Sequence, residues 1–397
     1  MVFIIQAGER SNSNNMSSKS HTLSTSEIVK IYEERYNPDE EYLGREKRVN
    51  KIDPLVSVFI TTYQHGPFIR DCLEGVLMQK TSFPIEILIG EDESTDGTRE
   101  ICMEYAKKHP DKIRLFLRDR KASQLYDEDG NRVCMFNGKW LRKEVRGKYL
   151  AACEGDDYWN DPLKLEKQIT LMEKNPDCHF SFHPVYIDWG GNSKSLKVHK
   201  KHYDHDHIFS TEELIIGGGE FCPTVSVVFN MKSYSFEPWR IDLPVQDYFS
   251  QVLLSMNGGA LYINDVMAVY RKGVPGSWSE KHKSFLKICE HSLKMIKANQ
   301  IFNKKTGYKY HKAFKKREKI LLKSYSLFPA FSHSNDVVKK VMSLVNTHIR
   351  GRLKWKCYYY LAISFLYHKM NFKYLFALKN RFMVLDLKSE FVRNKED

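Results

Sequence analysis

The chain has 397 residues, 62 Lys and Arg against 49 Asp and Glu, and 42% apolar residues, enough for two or three domains with their own cores. No stretch approaches the roughly 20 consecutive apolar residues that cross a bilayer, and residues 2–5 are too short and uncharged in front to be a secretory leader. The eight cysteines are scattered, with no zinc spacing and no Cys-x-x-Cys, as expected of buried thiols in a reducing cytoplasm.

Residues 6–26 are rich in Ser and Asn and are expected to be disordered. Ser26 then reads as the N-cap of a weak helix through Ile28, Ile31 and Tyr32. A charged linker over 39–53 leads to Pro54, where the ordered body is expected to begin. Residues 55–60 form a β-branched apolar run, ended by Thr61-Thr62-Tyr63-Gln64-His65-Gly66. A helix from Pro67 carries Ile69, Cys72, Leu73, Val76 and Leu77 on one face. Residues 85–90 make a second buried strand. The stretch Glu91-Asp92-Glu93-Ser94-Thr95-Asp96-Gly97-Thr98, dense in capping residues, opens the next helix, and 113–117 is a third strand. Strands and helices alternating at this length predict a parallel sheet with right-handed crossovers, whose ligands bind beyond the carboxyl ends of the strands.

Residues 121–144 form a polar, Gly-containing excursion. A strand ending at Ala152 then runs into Glu154-Gly155-Asp156-Asp157-Tyr158-Trp159, and Asp161-Pro162 predicts the start of a helix with Leu165, Ile169 and Met172 inward. Three carboxylates on one short loop repel one another. Oxygen-only ligands there suit Mg²⁺ or Mn²⁺, with positions left for phosphates. Taken alone the loop also fits a solvated acidic turn. Its place at a strand end, level with 61–66 and 91–96, favours a site.

Further along, His199, His202, His205 and His207 match no zinc spacing and read as a mobile surface loop. Residues 217–219 end a short helix opened by the capping box Ser210 to Glu213. Asp247 falls in the first turn of another helix, where the helix dipole favours a carboxylate. A last strand over 266–271 is followed by a loop to Trp278.

From 279 onward only helical spacing is seen, and the charge changes character. From Lys281 there are 27 Lys and Arg against 7 Asp and Glu, net +20, whereas residues 1–280 hold 35 against 42, net −7. An aromatic stripe over 353–386 with flanking basic residues fits a helix lying on an anionic membrane surface. It equally fits a bundle packed on the body with a solvated basic face. No base-stacking motif of RNA-binding sheets is present, so nucleic acid is not an expected partner.

The order of 54–63, Gly90 to Thr98 and Glu154-Gly155-Asp156-Asp157-Tyr158-Trp159 resembles the family 2 glycosyltransferases of the GT-A fold, in the bacterial subgroup whose metal motif reads Glu-Gly-Asp-Asp-Tyr-Trp. The resemblance spans roughly 54–278. It implies an α/β fold, a Rossmann-like and mostly parallel sheet flanked by helices, followed by an all-α C-terminal region. The chain then divides into 1–53, a catalytic unit over 54–278, and 279–397. It also implies inverting transfer of a sugar from a nucleoside diphosphate donor, commonly a UDP-sugar, with Mn²⁺ or Mg²⁺. The acceptor would be a hydroxyl of a glycan or polyprenyl-linked molecule in bacterial surface polysaccharide synthesis.

By position, the resemblance puts Thr61 and Tyr63 beside the base and ribose, and the Glu91-Asp92 pair at the base edge. Asp156 becomes the direct metal ligand, Glu154 reaches the ribose or a metal-bound water, and Asp157 is another nucleotide-sugar-binding residue. Asp247 is the expected base, although Gln246 stands where the family often has a second acid. Arg271 or Trp278 would touch diphosphate or acceptor. Such roles are chemically coherent: a metal stabilises the leaving diphosphate by several kcal/mol, the anomeric carbon gains oxocarbenium character, and a carboxylate takes the acceptor proton. Two alternatives are a nucleotidyltransferase, which would want a Gly-rich loop after the first strand, and a non-catalytic nucleotide-sugar or membrane-binding module.

Overall fold

A computed structural model describes residues 23–42, 53–128, 130, 132–190, 196–234, 237–241, 243–277 and 284–327, with short helical pieces between 342 and 358. The predicted disorder over 6–22, Trp278 and the aromatic stripe past Tyr358 lie outside the described residues.

Helix α1 (Thr25–Glu34) is capped by Ser24, which forms a capping box with Glu27, two residues before the cap expected at Ser26. It is docked on the body: Tyr32 stacks on Trp140, and the Trp140 indole N–H donates to the Tyr32 carbonyl at 3.0 Å. Strand β1 (Glu41–Tyr42) then edges the sheet beside β4. Strands β2 (Val56–Thr62), β3 (Ile85–Glu91) and β4 (Ile113–Leu117) run parallel, joined by helices α2 (Ile69–Leu77) and α3 (Thr98–Lys108). Val58, Ile60, Ile87 and Ile89 pack into one core, Phe59, Leu88 and Phe116 into another. Covered on both faces, these strands read as unbroken apolar runs rather than alternations. Each fully buried side chain of this kind contributes about 1.5–3 kcal/mol.

The excursion folds as α4 (Arg120–Ser123), a hairpin of β5 (Gln124–Tyr126) and β6 (Arg132–Met135), and α5 (Asn137–Lys143). Asn137 donates to the Gly90 carbonyl at 2.9 Å, which seats α5 against β3. The chain returns as β7 (Tyr149–Ala152), parallel to β2. After β8 (Tyr158–Trp159) comes α6 (Lys164–Lys174), starting two residues beyond Pro162, with Asp161 instead bonding the Leu163 N–H at 2.7 Å. Strands β9 (Phe180–Phe182), β10 (Val185–Asp188), β11 (Lys197–His199) and β12 (His207–Phe209), helix α7 (Thr211–Gly217), strand β13 (Val228–Asn230), helix α8 (Gln246–Ser255), and strands β14 (Ala260–Tyr262) and β15 (Ala268–Arg271) follow. The main sheet has nine strands in the order β1-β4-β3-β2-β7-β13-β9-β14-β12, and a second sheet runs β11-β10-β15-β8.

The histidine stretch is not the loose loop expected from its polarity. His202 stacks on Phe221 with centroids 4.2 Å apart and donates to the Phe221 carbonyl, because the aromatic cluster of Phe182, Phe209 and Tyr262 takes it in. Helices Phe285–Lys305 and His311–Leu327 pack on α7 and α8 through Tyr248, Phe249, Leu293, Ile296, Phe302 and Phe314. Among the described residues no helix is long and apolar enough to cross a membrane.

Candidate functional site

The carboxyl ends of β2, β3 and β7 converge, and their loops are stitched together. The Gln64 N–H donates to Ser94 Oγ, its side chain exchanges hydrogen bonds with Thr95, and the His65 N–H donates to Thr98 Oγ1 at 2.9 Å. Asp96 accepts from the Gly66 N–H at 2.8 Å. A Cβ on Gly66 would come within 2.5 Å of the Asp96 carbonyl, so this close approach requires glycine.

At the end of β3 two carboxylates are fully engaged. Glu91 is completely buried; it accepts from the Ser94 N–H at 2.7 Å and pairs with Arg99. Asp92 accepts from Ser123 Oγ and, at 2.5 Å, from Arg120 Nη1. Burial raises the Asp92 carboxyl above the ordinary carboxylate range, against the pull of Ser123 and Arg120. The Arg120 guanidinium lies over the Tyr63 ring, 3.2 Å from its centroid, so Tyr63, Arg120 and Asp92 form one layered group. Glu91, expected at a base edge, is instead turned into the protein, where Arg99 and the Ser94 backbone hold both its oxygens.

The acidic loop is built otherwise. Its Gly155 N–H donates to the Thr61 carbonyl at 3.1 Å, and a Cβ on Gly155 would lie 2.5 Å from Thr62 Oγ1 and 2.8 Å from His65 Nδ1. Only glycine lets the loop press onto β2 this closely. Asp157, 1% exposed, accepts from the Arg271 N–H through Oδ1 at 2.8 Å, while its Oδ2 is buried with no partner. Burial, then the charges of Asp156 and Glu154, push its carboxyl well above the ordinary range. The Asp156 side chain is 15% exposed, and among the described residues no hydrogen-bond donor reaches its carboxylate. The group facing it is His65, Nε2 to Oδ2 at 4.0 Å. Glu154 is exposed on the loop, and its crowded surroundings, then the charges of Asp156 and Asp247, raise its carboxyl to about 8.

Asp247 sits in the first turn of α8, half-buried, with Oδ2 accepting from Thr224 Oγ1 at 2.9 Å. Its influence on Glu154 ties it to the same group of charges. Gln246 is no second acid; it donates to the carbonyls of Arg240 and Leu243 and shapes the approach to the helix. Arg271 turns away from the open side. Its guanidinium donates to the Asp156 carbonyl at 3.1 Å, pairs with Asp71 and lies 4.5 Å from the Tyr158 ring centroid. It therefore positions the acidic loop.

The structure thus gathers Thr61, Tyr63, Asp92, Glu154, Asp156, Asp157 and Asp247 at one end of the sheet. Sequence reasoning missed Arg120 and His65, although both follow a parallel strand at its carboxyl end, where ligands are expected. The donor set suits a hard divalent ion: carboxylate oxygens without donors and a buried orphan at Asp157 Oδ2 are the atoms a cation would satisfy. Among the described residues no three His, Cys, Asp or Glu side chains form a cluster that could hold an ion unaided.

Comparison with known proteins agrees with this architecture. Residues 57–125 match the family described as Glycosyl transferase family 2. An uncharacterized protein of Mycobacterium tuberculosis is 33% identical over 236 residues, which are 59% of this chain and 64% of that one; the chain spans less than two thirds of this relative's length. TuaG of Bacillus subtilis, named as a teichuronic acid biosynthesis glycosyltransferase, is 35% identical over 130 residues, 32% of this chain and 46% of its own. Among solved structures, the 1–349 portion of S. aureus TarS in complex with UDP-GlcNAc superposes with a TM-score of 0.53 at 13% identity, covering 79% of this chain and 89% of that one, a likeness of fold. Residues 57–125 thus carry the family 2 glycosyltransferase pattern, on a chain whose fold is that of the GT-A enzymes it superposes on.

Proposed function

We propose that the chain is an inverting, metal-dependent enzyme that moves a sugar from a UDP-sugar to a hydroxyl of a glycan or polyprenyl-linked acceptor in bacterial surface polysaccharide synthesis. The observation that carries this reading is the Asp156 carboxylate, held at the carboxyl ends of the parallel strands β2, β3 and β7 with no donor on it among the described residues. The UDP-GlcNAc in the S. aureus TarS complex and the teichuronic acid role in the name of TuaG support the donor class and the pathway.

In this reading Thr61 and Tyr63 border the base and ribose, and Asp92 meets the base edge together with Arg120. Glu91 holds the loop that carries Asp92. Asp156 would hold Mn²⁺ or Mg²⁺, which when bound supplies positive charge to the leaving diphosphate. Asp157 and Arg271 keep Asp156 in place, and Glu154 faces the ribose or a water. Asp247, steadied by Thr224, takes the acceptor hydroxyl proton. The new bond from that oxygen to the anomeric carbon forms as the bond to diphosphate breaks, and the diphosphate leaves with the electron pair.

Division at 53 and 278 belongs to the same proposal, with 54–278 as the catalytic unit. The net charge of +20 from Lys281 onward supports a cytoplasmic protein attached peripherally to an anionic membrane surface. The test is a panel of UDP- and GDP-sugars offered to the full chain with Mn²⁺ or Mg²⁺. The expected result is nucleotide release from a UDP-sugar that EDTA abolishes. The absence of both nucleotide release and metal-dependent nucleotide binding would overturn the reading and favour a binding module.

A further inference from the structure

We propose that His65 is a second protein ligand, through Nε2, to the divalent ion that Asp156 holds. This inference rests on the metal-dependent reading above and adds a nitrogen donor to a site expected to offer oxygens alone. His65 Nε2 and Asp156 Oδ2 are 4.0 Å apart, with side chains 17% and 15% exposed. That separation is too long for a hydrogen bond. It is also what one shared ion would produce: two atoms each bound at about 2.1 Å stand roughly 3.0 Å apart at a right angle and about 4.2 Å apart when opposite. Two electron-rich atoms face each other across a gap of one cation.

Both partners are fixed from behind. His65 Nδ1 lies 3.2 Å from Thr62 Oγ1, and Thr62 is 2% exposed at the end of β2. A hydrogen bond to the far ring nitrogen is how ligating imidazoles are commonly oriented. The His65 N–H is tied to Thr98, and Gly155 brings the acidic loop against the ring. Arg271 holds the Asp156 carbonyl at 3.1 Å. The pair is therefore set by two neighbouring strands and needs no loop closure to form. A nitrogen ligand favours Mn²⁺ and Co²⁺ over Mg²⁺, since imidazole suits the transition metals and Mg²⁺ prefers oxygen.

Pulsed electron paramagnetic resonance of Mn²⁺ bound to the full chain with UDP tests this directly. The expected spectrum shows hyperfine coupling to one imidazole nitrogen, which disappears in His65→Gln. In that variant Mn²⁺ affinity falls about tenfold, and Mg²⁺ affinity falls less. A wild-type Mn²⁺ complex without nitrogen coupling, or coupling that survives in His65→Gln, overturns the inference. If wild type lacks the coupling while Asp156→Asn still abolishes Mn²⁺ binding, the role of His65 falls and the metal reading stands. If wild type takes up no Mn²⁺ with or without UDP, both fall.

Discussion

Strands β3 and β7 flank β2, and the acidic residues at and beyond their ends, Glu91-Asp92 and Asp156-Asp157, are built in opposite ways. Glu91 and Asp92 are surrounded by donors: a backbone N–H and Arg99 for one, Ser123 and Arg120 for the other. Among the described residues Asp156 has no donor on its carboxylate, and Asp157 keeps one buried oxygen unpartnered. An unpaired buried polar atom costs about 1–3 kcal/mol, so a fold retains one where a ligand repays the cost. Acid count alone does not mark a site. In the proposed reading the satisfied carboxylates are scaffold, and the unsatisfied ones are those that would take a cation.

The sharpest way to break this contrast is Asp156→Asn. Transfer should fall on the order of a thousandfold, as when electrostatic support for a leaving group is lost. Thermal stability should hold or rise, because a repelling charge is removed; nucleotide-release kinetics beside a melting curve measure both. Asp247→Asn should lower kcat by about 10²–10⁴ with little change in KM, the span general-base removal covers. Comparable loss in KM and kcat would make Asp247 a binding group instead. Glu91→Gln should do the reverse of Asp156→Asn. It breaks a buried ion pair and should cost about 3 kcal/mol in urea unfolding, with turnover largely kept in the folded fraction. If Asp156→Asn and Glu91→Gln cost stability equally, the distinction between scaffold and site fails.

The smallest effect is a pH slope. Glu154 is raised from its ordinary 4.5 to about 8 in the folded chain. Folded protein then binds more protons than unfolded protein between those values, so metal-free stability falls as pH rises through that window. Glu154→Gln should flatten part of the slope in melting curves run across it, with Asp157, shifted the same way, supplying the rest. An unchanged slope would place Glu154 outside the group of interacting charges.

Much of the scaffold was legible because its signals are local. β4 runs over the 113–117 predicted, since an unbroken apolar run between two helical patterns has few other uses. The strand-end positions of Thr61, Asp92 and Asp156 followed from the alternation of elements alone. What the sequence concealed depends on distant partners. Arg271 bonds a carbonyl 115 residues away, and Tyr32 finds Trp140 across more than a hundred, so neither positioning role nor docking of α1 has a neighbour-level signature. Glu91 and Asp156 are alike as letters on strand ends. Only packing shows that Arg99 neutralises the first and nothing in the described chain does so for the second. The membrane stripe past Tyr358 is still a sequence-based expectation.

The central claim, that Asp156 recruits a divalent ion to the nucleotide diphosphate, is tested most directly by calorimetric titration of UDP with and without Mn²⁺. For the wild-type chain the account predicts UDP affinity at least about tenfold higher with Mn²⁺, and no such gain for Asp156→Asn. UDP binding that ignores Mn²⁺ in the wild type, or a gain that survives in Asp156→Asn, would contradict it.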